Sequence, residues 1–384
     1  MTSSHRRAYI DWARGLAVLL MIEAHTTDAW TRAADKKSVL YRDANILGGF
    51  AAPAFLWLAG LAVVLAATRT VERTGSRAQA VEAIVRRGLI IFILAFLFRI
   101  QAFIVSPGNH LVTIFRVDIL NIMGPAIVVA GLAWSITSSA AARVAVLSAL
   151  AAAVSLLTPI VRASPLVDHL PVGFQWYMRP AGEFTVFTLW PWAGFVFAGA
   201  ASGALLAPAR DDRAERRVNA AIGAAGAALI LLGFYTAARP SIYAASSFWT
   251  SSPTWFAIRV GILMLALSWL YGLGQLVGQP DPAGDARLKG SRSGSSLFRA
   301  VAWSWQAPLE RLGRHSLFIY WIHGELVYGY SSWLWRHRLP LWGTAIAYVL
   351  FCALLYRAIG WRDRFVDFWR ARPRGALIST ASSS

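Results

Sequence analysis

Cysteine is almost missing from this chain: Cys352 stands alone among 384 residues. A single thiol excludes an intrachain disulfide and any cysteine-built metal cluster. Charge is also scarce. Asp, Glu, Lys and Arg together make 15% of the sequence, against roughly 25% in soluble domains. Acids are the rarer sign, 19 against 37 Lys and Arg, which leaves a net charge of +18. No Walker loop, HExxH, GxSxG elbow or dinucleotide fingerprint occurs, which disfavours ATP-driven pumps and ordinary serine hydrolases. Nor is there a repeat of 20–50 residues or a separate soluble domain. What fills the chain instead is apolar: 57% hydrophobic residues and a mean hydropathy of +0.50. This composition excludes a soluble globular enzyme, a nucleic-acid-binding domain and a disordered protein. Nucleic acid is therefore not an expected partner, and the lipid bilayer is.

At one span per ~20 apolar residues, the length accommodates about ten transmembrane helices. Runs of that kind fall at Tyr9–His25, Ile46–Ala67, Gly88–Val105, Ile119–Ile136 and Ala142–Val161, then at Phe184–Leu206, Val218–Thr236, Thr254–Val277, Ser316–Leu334 and Pro340–Ile359. Each is about twice the length of a barrel strand, so the fold class is all-α and polytopic. The first run follows basic residues as a signal peptide does. It carries Asp11, Arg14 and Glu23 and lacks a clean small-residue cleavage site, so it is read as a retained span. With the N-terminus inside, 24 Lys and Arg fall in one set of connecting segments and 9 in the other. That bias predicts cytoplasmic N- and C-termini and accounts for much of the +18. Residues 1–374 read as one membrane domain in the cytoplasmic (inner) membrane. The Gly/Ser/Arg stretch 279–296 is a flexible cytoplasmic linker, with phosphate cradling as its alternative. Residues 375–384 read as a disordered tail, and the Trp-containing piece Trp361–Arg372 is expected along the inner leaflet.

Ionisable groups inside spans are costly and are functional hypotheses by default. The first span holds the densest set. Arg14 and His25 are 11 residues apart, about three turns plus 20°, hence on one face and roughly 16 Å apart along the axis. Asp11, one turn before Arg14, can pair with it, whereas Glu23 lies on the opposite face. The bland reading is an Asp–Arg clamp with an interfacial histidine. The functional one is charge at the cytoplasmic mouth and a titratable base near the far side, suited to taking a proton from a hydroxyl or amine. Arg99 and Gln101 end the third span and read as snorkelling. Arg116, Asp118 and Asn121 enter the fourth, where Asp118 can hold Arg116, Arg99 or His25. In the ninth, Ser316, Tyr320 and His323 share a face and Glu325 adds a carboxylate. For each of these a polar contact between helices competes with catalysis. Cys352 reads as packing.

These residues also carry a resemblance. Arg14-x10-His25 within IDWARGLAVLLMIEAH resembles the first helix of the transmembrane acyltransferase superfamily, which includes the acyltransferase-3 proteins. Phe50–Val63, Arg86–Arg99, Phe115–Ala126 and Trp190–Gly203 resemble its heparan-alpha-glucosaminide N-acetyltransferase-like branch, and Leu312–Gly329 resembles the helix near the family's C-terminal end. The similarity covers about residues 6–330. Acyltransferase-3 proteins carry an Arg-x-Arg pair before the third helix, whereas Arg86 and Arg87 are adjacent here, which favours the former branch. Nothing resembles the luminal extension of the lysosomal enzyme.

The resemblance implies an acetyltransferase that takes acetyl from cytoplasmic acetyl-CoA and delivers it to an amine or hydroxyl of an extracytoplasmic sugar or glycan. His25 matches the family's catalytic histidine and Arg14 its partner. Asp118 or Glu325 is expected to orient the imidazole. Arg86, Arg87, Arg311 and Arg314 at the inner helix ends suit the phosphates of acetyl-CoA. On the acceptor side the candidates are Trp30, Arg116, Trp176 and His323, with the tryptophans equally suited to an interfacial belt. No metal is expected, and a homodimer is compatible with the reading. A multi-pass transporter or flippase is the competing class, although the inverted repeats and paired broken helices common there are not seen.

Overall fold

The computed structural model describes residues 7–106, 110–277 and 305–371, and the expected linker 279–296 and tail 375–384 lie outside them. Thirteen helices organise the described residues. They are α1 (Ala8–Trp30), α2 (Val39–Gly48), α3 (Ala51–Thr74), α4 (Arg77–Val105), α5 (Ile119–Ser135), α6 (Ala140–Ala163) and α7 (Val172–Met178). Then follow α8 (Leu189–Leu206), α9 (Asp212–Ala237), α10 (Pro253–Val277), α11 (305–314), α12 (Ser316–Tyr328) and α13 (Leu341–Ala371). No strand forms among them, and only two isolated bridges occur, Thr31 with Leu339 and Val117 with Thr185.

The helix ends follow local chemistry. Hydroxyls of Ser38, Ser76 and Ser139 and the carboxylate of Asp211 accept from the first-turn backbone of α2, α4, α6 and α9, which satisfies donors that a helix leaves orphaned. α3 stops at Gly75, whose φ of 68° is left-handed, a conformation that costs glycine little.

Seven helical stretches are long and apolar enough to cross a membrane, counting residues 39–74 as one. Three further helices fall where spans were expected. α1 carries charge, α5 has 17 residues and α12 has 13. Some boundaries move. The first helix continues past His25 to Trp30, the sixth begins at Leu189 rather than Phe184, and the ninth ends at Tyr328 rather than Leu334. The piece 361–371 is helical. It continues α13 without a break, giving 31 residues, about 46 Å at 1.5 Å per residue.

Small residues set the helix crossings. A Cβ added at Gly60 of α3 would overlap the Val196 carbonyl, and one at Gly199 of α8 would overlap the Trp57 carbonyl. Gly226 and Gly261 bring the backbones of α9 and α10 together less tightly, as Gly88 and Gly124 do for α4 and α5. Such close approach is how helices associate where hydrophobic burial between them is weak. The apolar interior forms two clusters. The larger is built mainly from α3–α6 and α8–α10, and the smaller from α1, α12 and α13. Leu89, Ile93, Leu97, Ile100 and Ile104 make an exposed stripe along α4, a face made for lipid.

Candidate active site

α11 and α12 both pack on α1. A Cβ on Gly15 would overlap the Leu309 carbonyl, and one on Gly313 would overlap that of Asp11. Further along, His25 meets His323 and the Trp30 indole donates to the Val327 carbonyl at 3.2 Å. The α11 contacts run opposite to α1 and the α12 contacts run with it, so each end of α1 finds a counterpart on the α11–α12 segment.

At the first end, Arg14 Nη1 sits 3.2 Å from Asp11 Oδ1, the carboxylate largely buried and the guanidinium half-buried. This is the pair that the spacing predicted. Gly313 packs on the Arg14 Cβ, which brings Arg314 to the same end. Arg314 pairs with Glu310. Arg311 reaches Asp363 at 3.2 Å and lies over the Tyr356 ring, and His315 and Arg362 reach the same carboxylate, each at 3.2 Å. Arg86 and Arg87 are exposed on α4. No ion pair among the described residues joins them to this group.

At the other end, His25 Nδ1 and His323 Nε2 are 2.8 Å apart, with the rings nearly parallel at 13°. His323 Nδ1 lies 2.9 Å from the Ile319 carbonyl. A carbonyl only accepts, so Nδ1 of His323 carries the hydrogen and Nε2 of the neutral ring is the acceptor. His25 Nδ1 is then the donor. Its Nε2 keeps a lone pair, which is the arrangement a base requires. Neither carboxylate expected to orient this imidazole does so. Asp118 lies at the N-terminus of α5 and faces Arg99 at 3.4 Å. Glu325, two residues past His323 and so on another face of α12, accepts from the Ser106 hydroxyl at 3.0 Å.

Arg99 is not snorkelling. It is 8% exposed, and its Nε donates to the Thr113 carbonyl at 3.0 Å. Asn121 accepts from the Asp118 backbone N–H at 2.9 Å. Arg116 is in electrostatic reach of Asp118, and its Nε is buried without a hydrogen-bond partner. Tyr320 sits between this group and the histidines, its ring 5.8 Å from that of His323. The acceptor-side aromatics divide. Trp30 is 3% exposed, packed edge-on against Trp335 and Phe351, so packing and a helix tie define it. Trp176 stacks on Phe184 at 4.9 Å.

A family model described as "Heparan-alpha-glucosaminide N-acetyltransferase, catalytic" matches residues 6–244. The match takes in more than half of the chain. The chain belongs to this family. Membership, with seven helices apolar and long enough to span, makes it a multi-pass membrane protein of an acetyltransferase family. No curated protein matches the chain. The matched region holds Arg14, His25, Arg86, Arg87, Arg116, Asp118 and Trp176, whereas His323, Glu325, Arg311 and Arg314 lie beyond it.

Two residues beside the histidines escaped sequence reasoning. Tyr328 packs its ring edge against His25 at 5.6 Å, and its hydroxyl donates to Asp28 Oδ2 at 3.0 Å. Asp28 follows His25 by three residues, which places it one turn on along the same helix. That spacing is the only signal the sequence offers, and it is a weak one.

Proposed function

We propose that this protein transfers an acetyl group from cytoplasmic acetyl-CoA to an amine or hydroxyl of an extracytoplasmic sugar or glycan, with His25 as the general base. The observation that carries the reading is the histidine pair, which leaves His25 Nε2 as a lone pair at the far end of the helix that bears Arg14. On this reading α1, α5 and α11 with α12 join the seven as spans, making ten, and the positive-inside bias of the sequence puts both termini on the cytoplasmic side. Arg14, Arg311 and Arg314 then gather at the cytoplasmic end, where acetyl-CoA phosphates arrive. Arg86 and Arg87 are a second basic pair on the same side.

In the reaction the acceptor N–H or O–H faces His25 Nε2. As the nucleophile attacks the thioester carbonyl, the C–N or C–O bond forms and the proton moves to Nε2. The C–S bond then breaks, and the imidazolium returns the proton to the departing thiolate. His323 accepts from the Nδ1–H throughout, which holds the ring and disperses the positive charge. The chain's own contribution is orientation and a proton site, worth roughly 10²–10⁴ in rate for such a base. Reconstituted protein given labelled acetyl-CoA inside vesicles and glucosamine outside should label the sugar. His25→Ala retaining full transfer would overturn the assignment of the base.

A further inference from the structure

Tyr320 is a partly buried chemical group beside the histidine pair that this scheme does not use. It belongs to the face that Ser316, Tyr320 and His323 share on α12. Its ring packs between Phe98, at 5.4 Å, and His323, at 5.8 Å. It is also one of the few side chains packed against both apolar clusters, so it stands in the seam between the two halves of the molecule. Among the described residues its hydroxyl makes no hydrogen bond. Tyr320 is only partly buried, and its hydroxyl is not among the sealed, unpartnered polar atoms, so the O–H is open to a partner that the fold itself does not supply.

Its place along the helix is informative. Tyr320 lies six residues beyond Arg314 and three before His323, about 9 Å and 4.5 Å of rise respectively. A donor whose phosphates sit at the Arg14–Arg314 end must carry its acyl group past Tyr320 to reach His25. The thioester carbonyl therefore meets the acceptor on the Tyr320 side of the imidazole. The charges in range of the phenol, Arg99 and Asp118, are paired with each other and offset. A neutral O–H is the group left facing the carbonyl.

Building on the acetyl-transfer reading, we infer that the Tyr320 hydroxyl donates a hydrogen bond to the thioester carbonyl oxygen and stabilises the oxyanion of the tetrahedral intermediate. No proton leaves the tyrosine. Negative charge builds on the carbonyl oxygen as the acceptor adds, the hydrogen bond strengthens, and the charge returns to form the product carbonyl as CoA thiolate departs. A donor realised mainly in the transition state raises kcat and leaves binding nearly unchanged.

Tyr320→Phe removes the hydroxyl and keeps the ring. With acetyl-CoA and glucosamine, its kcat should fall about 10²–10³-fold, the loss typical for one oxyanion donor. Both KM values and the thermal midpoint should stay within error. Fluoroacetyl-CoA, whose electron-poor carbonyl needs less help, should shrink the deficit several-fold. A variant within twofold of wild-type kcat, or a deficit identical with both donors, overturns the role of Tyr320 while wild-type transfer leaves the broader reading standing. A wild type that transfers no acetyl at all overturns that broader reading itself.

Discussion

His25 Nδ1 lies 2.8 Å from His323 Nε2 across 298 residues of chain. The contact links the first helix to α12, and the Ile319 carbonyl behind His323 decides which ring donates. His323→Ala removes the acceptor that holds His25 in one tautomer and orientation. Its kcat should drop roughly 10²-fold, within the range that positioned acid–base groups contribute, with both KM values preserved. The His25→Ala/His323→Ala double variant should be no slower than His25→Ala alone, because the second histidine acts through the first. Additive losses in steady-state kinetics would mean that His323 acts independently.

Arg314 marks the opposite end. It shares its end of the helix pair with Arg14, whereas no ion pair connects Arg86 or Arg87 to it. Arg314→Gln should raise KM for acetyl-CoA about tenfold, the loss of one charge-assisted contact of ~1.4 kcal/mol, with kcat unchanged. Arg86→Gln should move it less than twofold. The same measurement in high salt should narrow the difference, since exposed charge pairs are screened. Equal effects at the two positions would place the phosphates across both.

Much of this arrangement was legible in the sequence because membrane helices announce themselves by length. The Asp11–Arg14 pair and the Arg14-x10-His25 stripe follow from helical geometry within one element. What was hidden depends on partners distant in sequence. Asp118 and Glu325 were the two carboxylate candidates for orienting His25, and only the parallel register of α1 with α12 shows that a histidine takes the position. Trp30 has the composition of a stacking platform, yet its burial is decided by Trp335 and Phe351. Arg99 at the end of an apolar run resembles a snorkelling residue until α5 brings Asp118 to it. The continuity of α13 beyond the membrane-length segment was masked by its change from apolar to basic, which period alone does not treat as an end.

Gly199 offers a test of how the larger cluster is built. Its backbone rests on the Trp57 carbonyl, with Gly60 making the reciprocal approach to Val196. Because the obstruction is backbone rather than a flexible side chain, even a methyl group forces α3 and α8 apart. Gly199→Ala should destabilise by at least the ~1–3 kcal/mol of an overpacked core and lower the thermal midpoint in detergent. Gly199→Leu should yield no monodisperse protein. Gly173, where nothing approaches an added Cβ, is the control, and Gly173→Ala should behave as wild type. An unchanged midpoint for Gly199→Ala would mean that the crossing is not tight.

Acid should loosen the clasp next to the histidine pair. Outside the spans, the Leu341 backbone N–H donates to Asp35 Oδ2 at 2.8 Å, and Arg32 reaches the other oxygen at 3.0 Å. Around them the 32, 337 and 339 backbone N–H groups donate to the carbonyls of Leu339, Ala29 and Trp30, tying the end of α1 to the start of α13. The Leu341 N–H above all, and Arg32 with it, hold the Asp35 carboxyl below its usual range. A depressed carboxyl stabilises the folded form fully above the ordinary Asp value of about 3.9. That contribution disappears as pH falls through the lower folded value. Hydrogen-exchange protection factors at Thr31, Arg32 and Leu341, taken relative to the intrinsic rate at each pH, should therefore fall on acidification below about pH 4, well before those of α3 and α8. Asp35→Asn, which cannot ionise, should exchange faster at neutral pH and lose the acid-induced step. An acid step that persists undiminished in Asp35→Asn would assign the transition to another carboxylate.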